Sequence, residues 1–177
     1  MNGIPFRGLR MQKHSAVLVA IIVSKVCLLP AAALAAPGGD AGIRALEARF
    51  AEAVTAKDLD AVMKVYAPDV FVFDVIPPRQ YVGAPAYRED WKGLFAGIAG
   101  PVKFEISDLA VSAEGAVGYS HSIQHMTGMD PKGVAIDLTV RVTDVYRKSA
   151  GKWLIVQEHV SVPVDLGTLK PDLTSKP

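Results

Sequence analysis

KDLDAVMKVYAPDVFVFD, residues 57–74, switches its hydrophobic pattern from a helical to an extended period within one short stretch. Asp58 is placed to cap a short helix carrying Leu59, Val62, Met63 and Tyr66. Ala67-Pro68-Asp69 reads as the turn that ends it, and Val70 to Asp74 alternates as a strand. Pro77-Pro78 breaks that strand, and Gln80 to Val82 form a short return strand. Upstream, Ile43, Leu46, Phe50 and Val54 recur at helical spacing over 42–56, behind Asp40 as N-cap. Downstream, Gly83-Ala84-Pro85 opens a third helix, 85–98, with Tyr87, Trp91, Leu94, Phe95 and Ile98 along one side.

After Gly100-Pro101 the pattern becomes β. Strands are expected at 102–113, 116–127, 134–148 and 152–163, joined by turns at Glu114-Gly115, Asp130-Pro131-Lys132-Gly133 and Ala150-Gly151. Short connections make antiparallel neighbours. Helices first and a meander of long strands afterwards is an α+β plan, with the helices covering one face of a curved sheet. The residues after Pro163 read as a loose tail, 164–177.

The first 35 residues carry Arg7, Arg10, Lys13 and Lys25 and no acid, an apolar run from Ala16 to Val23, and Ala33-Leu34-Ala35 at the end. That order of basic, apolar and small residues reads as a secretory signal cleaved before Ala36, which predicts a secreted or periplasmic protein. Residues 36–41 are then a flexible leader. Cleavage removes Cys27, the sole cysteine of the 177-residue chain, and with it disulfides and thiolate chemistry. It also turns a balance of 19 basic and 18 acidic residues into a mildly acidic one. Such a chain is a poor partner for nucleic acid or for an anionic membrane surface. His121 and His125 share a strand face at roughly 13 Å, too far apart for one metal ion. No metal and no cofactor is expected.

The run from Leu46 to Asp74 resembles the cone-shaped α+β superfamily of nuclear transport factor two (the NTF2-like fold), including ketosteroid isomerases and SnoaL-like polyketide cyclases. Arg141 to Lys148, then Gly151-Lys152-Trp153 and His159 to Pro163, resemble the last two strands of SnoaL-like proteins. The likeness spans about 42–163. It implies three N-terminal helices packed on a strongly curved, mostly antiparallel sheet, leaving a conical cavity for a small, apolar, oxygen-bearing molecule. It also implies a function divided between two readings. One is cofactor-free acid/base chemistry of isomerase, cyclase or dehydratase type; the other is a non-enzymatic ligand-binding or dimerisation module.

In that resemblance Asp74 matches the carboxylate that moves a proton between two carbons. An apolar pocket disfavours its charged form and makes it a better base near neutral pH. Asp144 matches the acid that stays protonated and donates to the developing enolate, with Val142 and Tyr146 turned inward beside it. Phe50 stands where the isomerases carry a donor phenol, and a ring without a hydroxyl cannot complete an oxyanion hole. Trp91, Tyr66 and Tyr81 are the other ligand-facing candidates. Strand alternation sends either Glu158, with Val156 and Val160, or His159, with Gln157 and Ser161, into the cavity. Glu158 would add a carboxyl to the pocket, and His159 a general base. A sheet face carrying Val117, Ile123, Val145 and Ile155 predicts a homodimer.

Overall fold

The computed structural model describes residues 39–174; the expected signal and the start of the leader lie outside them. Three helices, α1 (Gly39–Thr55), α2 (Leu59–Met63) and α3 (Ala84–Ala96), precede the long strands. The strands are β1 (Tyr66–Phe73), β2 (Tyr81–Val82), β3 (Ala99–Glu114), β4 (Val117–Met129), β5 (Ala135–Ser149) and β6 (Lys152–Ser161). They form one sheet in the order β2-β1-β6-β5-β4-β3. Every pairing is antiparallel except that of β1 with β6. The α+β plan and the three helices therefore stand as expected. No helix among the described residues is long and apolar enough to cross a membrane.

Three local expectations need correction. Gly39 and Asp40 already belong to α1, so Asp40 sits in the first turn rather than at the cap. The segment 66–69 is strand, not turn: α2 stops at Met63, and β1 begins at Tyr66 with an irregular register against β6 as far as Phe71. That irregularity accommodates Pro68, which has no N–H to give a ladder. The chain after Ser161 is not wholly loose either. Val164–Asp165 (β7) and Lys170–Pro171 (β8) pair, and Leu173 accepts a backbone hydrogen bond from Thr139.

The core lies between the helices and the inner sheet face, built from Ile43, Leu46, Phe50 and Val54 of α1, Tyr87, Trp91 and Phe95 of α3, and inward strand residues. Phe50 is its hub, meeting Tyr66, Trp91 and Phe104 edge-on at centroid distances of 5.6–6.2 Å. Helix α1 lies so close to β4 that a Cβ on Gly118 would stand 2.5 Å from Ile43 Cδ1 and 3.1 Å from the Ser112 carbonyl. Gly118→Val is therefore expected to cost about 1–3 kcal/mol, seen as a lower midpoint in urea unfolding; an unchanged midpoint would deny the close approach.

Candidate functional site

Alternation along β1 buries Val70 and Val72 completely, and Asp74 follows on the same side, just past the strand's end. Its side chain is held from two directions. Oδ1 accepts from the Ile76 amide at 3.2 Å, and Oδ2 accepts from the Tyr87 hydroxyl at 3.2 Å. Burial pushes its pKa above the usual carboxylate value, and these hydrogen bonds pull partly against it.

Asp74 borders a small, half-open cavity walled by residues of α1, α3 and the sheet. Helix α3 presents Tyr87, Asp90, Trp91 and Leu94 to it, the spacing of one helix face. Phe50 and Phe104 supply two more rings, while Gln124, Met126, Leu138 and Val140 come from β4 and β5. Glu158 and Val160 complete the floor from β6.

Glu158 is the pivot of the site. In the sheet it lies between Val72 of β1 and Asp144 of β5, and it is only 3% exposed. Tyr66 donates to its Oε2 at 2.9 Å, and the Tyr87 oxygen lies 2.5 Å from its Oε1. Tyr87 has one proton but touches both Asp74 and Glu158. One contact is therefore made by the phenol proton, and the other needs a proton from a carboxyl. Burial pushes Glu158 up to about 7, with the nearby Asp74 charge adding to the rise. The three groups form one hydrogen-bonded chain, Asp74–Tyr87–Glu158, along which a proton can pass.

A second set of acids lies behind this one. Asp144 faces inward with Val142 and Tyr146, as alternation requires, and is 1% exposed. It stands opposite Glu158 in the β5–β6 ladder, its Oδ2 lies 3.4 Å from the Tyr146 hydroxyl, and it is held well above the usual range by burial and by the charges of Glu158 and Glu47. Tyr146 donates to Glu47 Oε1 at 2.7 Å, with Ser120 Oγ also 2.7 Å from the phenol oxygen. Burial pushes Glu47 up to about 7 as well. Among the described residues, no basic side chain joins these four carboxyls. Glu47, Asp144 and Glu158, the three that are buried, lie in a dry interior that favours their protonated forms.

The structure brings together Asp74, Glu158, Phe50 and Trp91 at the cavity wall. Asp144 does not line it and meets the cavity only through Glu158. Tyr66 and Tyr81 are not wall residues either: Tyr66 is committed to Glu158, and Tyr81 to Asp90 at 2.6 Å. His159 is the clear correction. Its side chain lies on the opposite, outer face of the sheet, exposed, packed edge-on against Phe73 and beside the groove that holds His121, Arg141 and Thr143. The alternative parity, with Glu158 and Val160 inward, is the one adopted. Val156 does not follow it, because a bulge opposite Val145 and Tyr146 makes it the extra residue of β6.

Sequence reasoning missed Tyr87, Asp90, Gln124 and Glu47. The signal for Glu47 was present: it falls between Leu46 and Phe50 on the buried stripe of α1, where a charged residue must find partners. Asp90 likewise shares a helix face with Tyr87 and Trp91. Nothing in the β pattern marks Gln124, because a polar residue on a half-covered strand is ordinary.

The family profile of the SnoaL-like domain matches residues 43–165. No curated protein matches the chain. Among solved structures, an NTF2-like protein of unknown function from Pseudomonas putida is 31% identical, with 78% of this chain and 96% of that one covered at a TM-score of 0.71. A ketosteroid isomerase-like protein from Erwinia carotovora is 22% identical, covering 69% and 94% of the two chains at a TM-score of 0.60. An NTF2-like superfamily protein from Salmonella enterica is 17% identical, covering 72% and 93% at 0.64. With the cone of helices on a curved sheet and a profile match over most of its length, this chain belongs to the SnoaL-like family of the NTF2-like superfamily.

Proposed function

We propose that the cavity binds a small, largely apolar, oxygen-bearing molecule and that Asp74 moves a proton on it without a cofactor. The observation that carries the reading is the Asp74–Tyr87–Glu158 contact at the cavity wall. Asp74 takes the proton from a carbon next to a carbonyl, and Glu158, reached through Tyr87, holds or returns a proton within the same turnover. Two donors are uncommitted to stabilise the developing oxyanion. Trp91 Nε1 is buried without a hydrogen-bond partner, and Gln124 makes no side-chain hydrogen bond among the described residues.

A second reading, a non-enzymatic binding module, draws on one specific observation. The phenols of Tyr66 and Tyr87 are both engaged by Glu158, and the α1 position that a donor phenol would take is Phe50. Deuterium exchange separates the two. Small cyclic ketones incubated with the protein in D₂O should gain deuterium next to the carbonyl, and should not gain it with Asp74→Asn. Exchange no faster than in buffer across the panel would leave only the binding module.

The same reading places the protein outside the cytoplasm, supported by the basic, apolar and small-residue order of residues 1–35. It also pairs two copies through the outer sheet face, where Phe73, Val117 and Tyr119 are exposed. Ile155, expected on that face, is buried in the core because of the β6 bulge. Size-exclusion chromatography at micromolar concentration should give twice the monomer mass.

A further inference from the structure

The cavity wall is unbalanced in charge. Asp74, Asp90 and Glu158 all line it, and neither Lys, Arg nor His does. The three acids feel one another: the Asp74 charge raises both Asp90 and Glu158. Asp90 is also half-buried at the mouth, where Tyr81 donates to it at 2.6 Å. Like charges lining one apolar pocket ionise together at a cost that an entering cation offsets.

The rest of the wall suits such a cation. Phe50, Tyr87, Trp91 and Phe104 surround the same space, and ring faces attract a positive charge that water no longer screens. Gln124, 7% exposed, lines the cavity with an amide that makes no side-chain hydrogen bond among the described residues. Its carbonyl is a free acceptor for an ammonium hydrogen. Carboxyls, ring faces and an open amide carbonyl together make an ammonium site, not merely an acidic patch.

Resting on the cavity reading above, we propose that the molecule this cavity takes is a protonated amine on a compact aromatic or alicyclic body, its ammonium group held between Asp74, Asp90 and Glu158. Amine entry would favour the ionised form of Glu158, which lies near 7 in the empty site, so binding and proton release are linked.

The test compares three probes of similar shape by isothermal titration calorimetry: 2-phenylethylamine, 2-phenylethanol and phenylacetate. The amine is expected to bind at least tenfold more tightly than the alcohol at pH 8, with phenylacetate the weakest. Its affinity should rise from pH 6 to pH 8, and the heat should depend on the buffer's ionisation enthalpy, because protons leave on binding. The Asp90→Asn variant, which spares the relay, should narrow the amine's advantage over the alcohol several-fold. Alcohol binding as tight as amine binding would overturn the ammonium site, as would binding of none of the three. Ketone exchange in D₂O is scored independently, so the proton-transfer reading can survive while the ammonium site fails, or the reverse.

Discussion

Asp74→Asn is expected to lower any proton-transfer turnover by about 10²–10⁴-fold while leaving the unfolding midpoint almost unchanged. The amide keeps the shape of the carboxyl, its oxygen can still accept from the Ile76 amide while its NH2 donates to the Tyr87 oxygen, and it lies at the rim rather than in the core. What it loses is the ability to take a proton. A merely structural Asp74 would show the opposite pattern, with a lower midpoint and no change in rate constant. The comparison variant is Glu158→Gln, which leaves Asp74 in place but removes the far end of the relay. It should retain part of the activity and move the pH profile, since the acid that shares the Tyr87 phenol with Asp74 would no longer titrate.

Raising the pH from 5 to 8 should weaken the fold by several kcal/mol. Glu47 and Glu158 each have a pKa near 7 in the folded protein against 4.5 for an ordinary Glu, and Asp144 is raised well above its ordinary value by burial. The folded state therefore binds protons more tightly than the unfolded chain. The stability this gives is fully present below about 4.5 and is lost as the pH climbs through about 7. Each tenfold gain in proton affinity is worth about 1.4 kcal/mol, so each of the two Glu residues accounts for a change on the order of 3 kcal/mol. Thermal melts at pH 5 and pH 8 read the effect directly. Glu47→Gln, which stays neutral and still accepts from Tyr146, should flatten the slope and gain relative stability at the higher pH. A melting temperature that rose with pH would mean that these acids are paired with cations or open to water.

Much of the fold was legible because its signals are local and repeated. The stripe Ile43, Leu46, Phe50, Val54 and the alternation of Val70, Val72 and Asp74 each specify an element and the face it buries. What local pattern does not carry is an irregularity set by distant partners. The register shift in β1 that absorbs Pro68, and the bulge at Val156 that turns Ile155 into the core, depend on the pairing of β6 with β1 and β5. The site follows the same division. Asp74 and Glu158 were readable as inward carboxyls from alternation, although His159 was equally readable until the sheet fixed its parity. Tyr87 and Glu47 escaped because their roles arise from residues 71 and 99 positions away in sequence, and no spacing along one element reports such a contact.

Burial raises Asp74 and Glu158 above ordinary carboxyl values, one phenol at the cavity wall bonds both, and the proposed chemistry depends on that sharing. Carbon-13 NMR titration of the side-chain carboxyls tests it without any ligand. Glu158 should titrate near 7 and Asp74 above an ordinary Asp, and both should rise further in Tyr87→Phe, because that phenol lowers each of them. Carboxyl resonances that all titrate in the ordinary range, or that ignore the loss of the Tyr87 hydroxyl, would refute the shared relay.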